Sequence, residues 1–246
     1  MTTSRLLRLA WLCVALSPGC ALAANLDKRV EAPNVCGVIY EINAYGPYDY
    51  RFDKDKLPIV ENAHFTPKVE SLIAGQTGNR IAGDIDYTLR KIPNHHRALL
   101  AMSRFALKTR NEQPPGAWYP VECYFERALR FKPDDVVARM LYANFLLERS
   151  RVDDALAQLQ ICIGLADENG ISHYNIGLIY FDAKRQDLAL SQAHKAMALG
   201  LNWPGLKDKL VKAGAWTEPT AAKAAPAAES PASAHSAVPT APASAP

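Results

Sequence analysis

The side chains best suited to chemistry in this sequence are few and scattered. "RKIPNHHRALLAM", residues 90–102, sets His95 beside His96, and two imidazoles after a proline raise the question of a metal or general-base site. On a helix, neighbouring residues project about 100° apart, so the pair cannot hold one ion from the same face. Zinc needs three or four ligands, and His64, the nearest other histidine, falls in a different segment. There is no HExxH and no closely spaced cysteine pair, so neither a metal ligand set nor a cofactor is expected. His95 and His96 are instead expected at the start of a helix, with Asn94 as its cap and one ring against Tyr87 or Pro93. His173 and His194 receive the same structural reading. "DKDK" at residues 53–56 lacks the alternating pattern of a calcium loop. "GQTGNRIAGD" lacks the Gly-Lys-Ser/Thr ending of a phosphate loop. With no G-x-S-x-G and no cysteine at an evident spacing from a histidine, no catalytic residue and no enzymatic activity are expected. The competing arrangement is a hydrolase site around Asp49, His64 and Asp84. "AYGPYDYRF" gathers Tyr45, Tyr48, Tyr50 and Phe52 around a Gly-Pro turn. It is either an aromatic recognition loop or, as expected here, a plug over the end of the first helix pair.

These residues must be positioned by a chain of 246 residues, 49% hydrophobic and 22% charged, which can hold one sizeable core or a short array of small units. A net charge of +3 with mixed signs excludes the footprint of a nucleic-acid binder. Residues 1–23 combine Arg5 and Arg8, an apolar run from Leu9 to Leu16 and the small-residue site Ala21-Leu22-Ala23, which is the pattern of a cleaved signal peptide. Secretion is expected, to the periplasm in a Gram-negative cell, with no membrane span in the mature chain. The alternative makes Cys20 of "LSPGC" a lipid-modified N-terminus, although Ser17 stands where that signal wants a large aliphatic residue. Residues 217–246, mostly Ala, Pro, Ser and Thr, are expected to be a disordered tail.

Between these ends the sequence repeats every 34 residues. Val121 falls on Ala155 and Ala189, Phe125 on Leu159 and Ala193, and Ala128 on Cys162 and Ala196. In the intervening segments Tyr142 falls on Ile176, Ala143 on Gly177, and Leu146 on Tyr180. Pro93 and Pro133, each closing a helix, lie 40 apart, the six extra residues fitting in "TRNEQPPGAWY". Upstream, "TPKVESLIAG" reads as a helix capped by Thr66 with Pro67 in its first turn and Gly75 at its end, and residues 84–92 as the helix after it.

This pattern, clearest in "IGLIYFDAKRQDLALSQAHKAMALG", resembles the tetratricopeptide repeat, in which small residues let the two helices of a hairpin approach closely. The resemblance implies an all-α fold: a right-handed α-solenoid of helix hairpins with an irregular N-terminal segment and a disordered C-terminal tail. The organisation would be a signal peptide over 1–23, an irregular cap segment over 24–64 and a degenerate hairpin over 65–94. Three repeats over 95–200, a capping helix over 201–216 and the tail over 217–246 complete it. The first helices would line a groove for a protein or peptide, facing it with Arg97, Arg104 and Lys108, then Met140, Asn144 and Glu148, then Tyr174, Leu178 and Asp182. The function implied is an interaction module, an adaptor or assembly factor of the cell envelope. Of the three cysteines left after cleavage, Cys162 occupies a slot that the repeat buries, which leaves Cys36 and Cys123 as the expected disulfide, although three pairings are possible.

Overall fold

The computed structural model describes residues 34–40, 45–76 and 80–219. The signal peptide expected over 1–23, Cys20 included, and the tail from residue 220 lie outside the described residues. The described residues form ten helices and no strand, so the all-α expectation holds: α1 Pro58–His64, α2 Pro67–Glu70, α3 Ile81–Lys91, α4 His96–Thr109, α5 Val121–Phe131, α6 Val136–Leu147, α7 Val152–Ala166, α8 Gly170–Asp182, α9 Gln186–Ala198 and α10 Pro204–Lys212. The chain divides into two compact units, residues 1–141 and 142–246, with the boundary inside α6.

Local chemistry sets most helix ends. Proline occupies the first turn of α1, α2 and α10, where its missing N–H costs nothing and its fixed φ suits the helix. Pro93 and Pro133 follow closely on the ends of α3 and α5, since the residues before a proline resist helical φ and ψ. Three first helices end through a left-handed residue that is not glycine: Arg110, Ser150 and Lys184, at φ 52°, 59° and 63°. These lie 40 and 34 residues apart, so the turn geometry keeps the period that the side chains keep.

The N-terminal region departs from the expected boundaries. The cap segment over 24–64 contains a regular helix, α1. Thr66 and Pro67 do open α2, yet the helix closes after Glu70, short of Gly75, because Leu72 turns left-handed at φ 58°. Helix α3 begins at Ile81 instead of 84.

In the first unit α1 packs on α3, α2 on α3 and α4, and α4 on both α3 and α5. Of the aromatic segment, Tyr48 and Tyr50 pack with Tyr87 against buried Leu57, Val60 and Ile92, while Tyr45 and Phe52 are exposed. Gly46, at φ +82°, could not carry a side chain, because a Cβ there would stand 2.9 Å from the Lys91 carbonyl oxygen. Residues 34–40 have no helix of their own and are fastened chemically. Cys36 and Cys123 form a disulfide across 87 residues. The buried Arg127 donates from Nη1 to the carbonyls of Cys36 at 3.0 Å and Val38 at 2.7 Å, and Arg130 donates to that of Gly37 at 2.9 Å.

In the second unit α8 contacts α7, α9 and α10, and α10 also contacts α9. From α5 in the first unit to α9 in the second, the 34-residue period is a period of burial. Val121, Ala155 and Ala189 are all buried, as are Phe125, Leu159 and Ala193, and Ala128, Cys162 and Ala196. The same holds for Tyr142 and Ile176, Ala143 and Gly177, and Leu146 and Tyr180. Gly177 shows why small residues recur: a Cβ there would meet Leu206 Cδ2 at 2.4 Å and Gln192 Cβ at 3.2 Å. Cys162 is buried and takes no part in the disulfide. Among the described residues no helix is long and apolar enough to cross a membrane.

Candidate functional site

The two histidines stand at the α3–α4 joint and do different work. His95, not Asn94 as expected, is the N-cap of α4: its Nδ1 accepts from the Ala98 N–H at 3.1 Å. That contact leaves the imidazole proton on Nε2, which donates to Glu61 Oε1 at 2.8 Å. Burial holds the His95 pKa below its ordinary value against the opposing pull of Glu61. Glu61 is itself held low by the hydrogen bond from His95. A neutral imidazole therefore faces an ionised carboxylate. The ring packs against Tyr50, at 4.2 Å between centroids, and Phe65, at 4.7 Å, in place of Tyr87 or Pro93.

His96 turns the other way, its Nε2 lying 2.9 Å from both carboxylate oxygens of Asp135. Asp135 in turn caps the next helix by accepting from the Ala138 N–H at 3.0 Å. Asn94, fully buried, joins this carboxylate to a second one: its Nδ2 donates at 2.8 Å to Asp135 Oδ2 and at 2.8 Å to Asp49 Oδ1, while its Oδ1 accepts from the Tyr50 N–H. Arg51 closes the network, donating to Asp49 and to Asp134. Burial works to raise the Asp49 pKa, but the bonds from Arg51 and Asn94 overcome it and hold the carboxyl well below the usual range. Asp135 is lowered in the same way: burial works to raise it, and the contacts from His96, the Ala138 N–H and Asn94 together overcome that. These bonds join the 45–53 segment to the α3–α4 joint and to the residues before α6.

The hydrolase trio does not assemble. Asp49 belongs to the network just described, while His64 Nδ1 lies 3.0 Å from Asp84 Oδ1 and stacks on Tyr87 at 4.0 Å. His64 lines a cavity of about 550 Å³ together with Arg80, Gly83, Asp86, Tyr87, Arg90, Gly116 and Trp118. No serine, threonine or cysteine is among these lining residues. One wall is a ladder of rings and guanidinium: His64 on Tyr87, Arg90 5.4 Å from the Tyr87 ring centre, and the same Arg90 3.9 Å from that of Trp118. Asp86, buried beneath it, accepts from Arg90 Nε at 2.9 Å, the Trp118 N–H at 3.1 Å and the Tyr124 hydroxyl at 2.5 Å. Burial first, and then the Asp86 charge, push the Tyr124 phenol far up. Sequence reading passed over this cavity because its residues come from three segments, none with a motif of its own.

The nine groove residues have mixed surroundings. In the first unit Arg97 pairs with Glu70, Lys108 donates to the Leu72 carbonyl at 3.2 Å, and Arg104 is exposed. Met140 is only 6% exposed, too buried to present a groove surface. In α6 Asn144 is half-buried, and Glu148, just past its end, is exposed beside Arg149 at 3.5 Å. In the second unit Tyr174 meets Trp203 edge-on at 5.3 Å, Leu178 is half-buried, and Asp182 lies 3.6 Å from Lys209. Trp203, at the N-cap of α10, is 50% exposed and was not singled out in sequence, where it read only as part of a capping helix.

The capping helix expected over 201–216 is α10, Pro204–Lys212, and Thr217 and Glu218, expected in the tail, bond to the folded part. His194 donates to the Thr217 carbonyl at 2.8 Å and Trp216 Nε1 to Glu218 at 3.0 Å. Among the described residues no group of three or more His, Cys, Asp or Glu side chains is placed to hold a metal ion. The chain matches no model of a known protein family and no curated protein.

Proposed function

We propose that the chain is a helical-repeat interaction module of the tetratricopeptide type, a binding protein and not an enzyme, that acts outside the cytoplasm as an adaptor or assembly factor of the cell envelope. The observation that carries this reading is the 34-residue recurrence of buried positions across α5 to α9. Hairpins that bury equivalent faces stack as a solenoid, and solenoids serve binding through the faces left over. On α8 that face holds Ile171, Tyr174 and Leu178, three and four residues apart, with Trp203 against Tyr174. An aromatic pair held edge-to-face beside exposed aliphatic surface is the composition of a protein-binding hot spot. The partner is a protein or peptide presenting an apolar side chain, with Asp182 and Lys209 at the rim to orient its charges. The leader-like residues 1–23 and the Cys36–Cys123 disulfide support secretion.

The test is a photo-crosslinking side chain at Leu178, used in envelope extracts of the source organism with the wild-type background and with Ile171→Ser/Trp203→Ala. The expected result is a discrete protein adduct that the double substitution removes. Identical adducts in both backgrounds overturn the reading. Mass spectrometry of the mature chain should find Ala24 at its N-terminus; a lipid on Cys20 would replace the free protein with a membrane-anchored one.

A further inference from the structure

The cavity of the first unit plays no part in the reading above, which rests on the repeat helices α5 to α9 and the face of α8. Its volume, about 550 Å³, lies in the range of small-molecule sites. Its charge is unbalanced in one direction. Asp86 is buried and bonded to Arg90, Trp118 and Tyr124, so its carboxylate is consumed within the wall, whereas Arg80 lines the same cavity and is exposed. A guanidinium in that position offers a fork of donors matched to a carboxylate or phosphate.

The second feature is Trp118. A tryptophan 62% exposed is ordinarily a liability, yet this one is held fast. Its backbone N–H donates to Asp86, its backbone carbonyl accepts from Gln113 Nε2 at 3.1 Å, and its ring lies against Arg90, itself tied to Asp86. An exposed indole fixed before any ligand arrives loses little entropy when a flat group stacks on it. Gly116, at φ +109°, lets the segment that carries Trp118 approach the start of α3, since a Cβ there would press to 2.9 Å from the Gly83 nitrogen and 3.2 Å from Arg80 Cβ.

We propose that this cavity binds a small ligand in which a ring with a flat apolar face carries an oxyanion: the ring stacks on Trp118, the oxyanion takes the Arg80 guanidinium, and His64, oriented by Asp84, faces the ligand between them. A nucleoside monophosphate and a sugar acid share that chemistry. Calorimetric titration of the full chain with AMP, glucuronate, glucose and inorganic phosphate separates them. The expected result is saturable binding of AMP or glucuronate at a Kd of about 1 mM or tighter. Glucose and phosphate, each lacking half of the ligand, bind about tenfold more weakly or not at all. Arg80→Ala and Trp118→Ala each weaken binding about tenfold, while Trp118→Phe, which keeps a flat ring, stays within about threefold. Binding of AMP alone identifies a nucleotide, of glucuronate alone a sugar acid. Absence of binding by both up to about 10 mM, or affinities unchanged in well-folded Arg80→Ala and Trp118→Ala proteins, overturns the proposal.

Discussion

Removing the Cys36–Cys123 bond is the perturbation whose magnitude follows most directly from the structure. The bond spans 87 residues, and closing a loop of that length in the unfolded chain removes conformational entropy worth about 4 to 5 kcal/mol at 25 °C. The folded side of the balance should change little. Residues 36–38 remain clamped by the three carbonyl contacts of Arg127 and Arg130, so Cys36→Ala/Cys123→Ala retains its native segment and the whole loss falls on the unfolded state. For a unit of roughly a hundred residues, 1 kcal/mol moves Tm by about 4 °C or more, so the double variant should melt at least about 15 °C below the oxidised protein. The assay is circular dichroism melting of wild type, the double variant and the reduced wild type. Reduced wild type and the double variant should agree within a few degrees. A drop below about 4 °C would refute the reasoning, because it would mean that the unfolded chain already keeps residues 36 and 123 together or that the oxidised fold carries an offsetting cost.

Three further outcomes follow from named contacts. Stability should fall as pH is lowered in two steps. The His95 pKa is depressed in the fold, so the unfolded state takes up that proton first and stability is lost as pH drops below about 6.5. Asp49 and Asp135, also depressed, give stability that is present above about pH 4 and lost below it; urea midpoints across pH 3–8 check both steps, and a rise in stability toward acid contradicts them. Asn94→Ala leaves Asp49 and Asp135 each one donor short and the Tyr50 N–H without its acceptor, so equilibrium unfolding should show a loss of about 2–4 kcal/mol, and Asn94→Asp a larger one from repulsion among three carboxylates. Gly177→Val drives side-chain atoms into Leu206 and Gln192 and should cost about 1–3 kcal/mol by the same assay, leaving the Cys36–Cys123 bond intact in peptide mapping.

What could be read in advance was whatever recurs or punctuates. The pairing of small with small and large with large at 34-residue spacing is a statement about burial, and Cys162 sits in the core for the reason that Ala128 and Ala196 do. Elimination of Cys162 is also what made the Cys36–Cys123 pair legible. The left-handed helix ends were hidden because Arg110, Ser150 and Lys184 stand where glycine is the expected signal. The Asp49–Asn94–Asp135 network was hidden for a different reason. Its members lie 45 and 41 residues apart, and nothing in an Asp or Asn records which distant partner it will meet. The His95 cap escaped because Asn94 is the better capping residue by type, and Asn94 was needed elsewhere.

The two units are secured by different means, and the difference follows from what each has to hold. In the second unit long helices with small residues at their contacts supply enough matched apolar surface, as the close approach at Gly177 requires. The first unit must also hold residues 34–40 and 45–53, which have no helical face to pack, and a one-turn α2 gives little surface in compensation. There the fastening is covalent and electrostatic: the disulfide, guanidinium groups on backbone carbonyls, and two buried carboxylates bridged by Asn94. Buried charges of this kind add little net stability over a well-packed apolar contact, but they tolerate almost no alternative geometry. The same fastening holds α3 and its joint with α4 in place, and so fixes Arg90 and the wall that Trp118 leans on. Reductant and acid should therefore act first on the segment-bearing unit and its cavity, whereas changes of core volume should act first on the repeat hairpins.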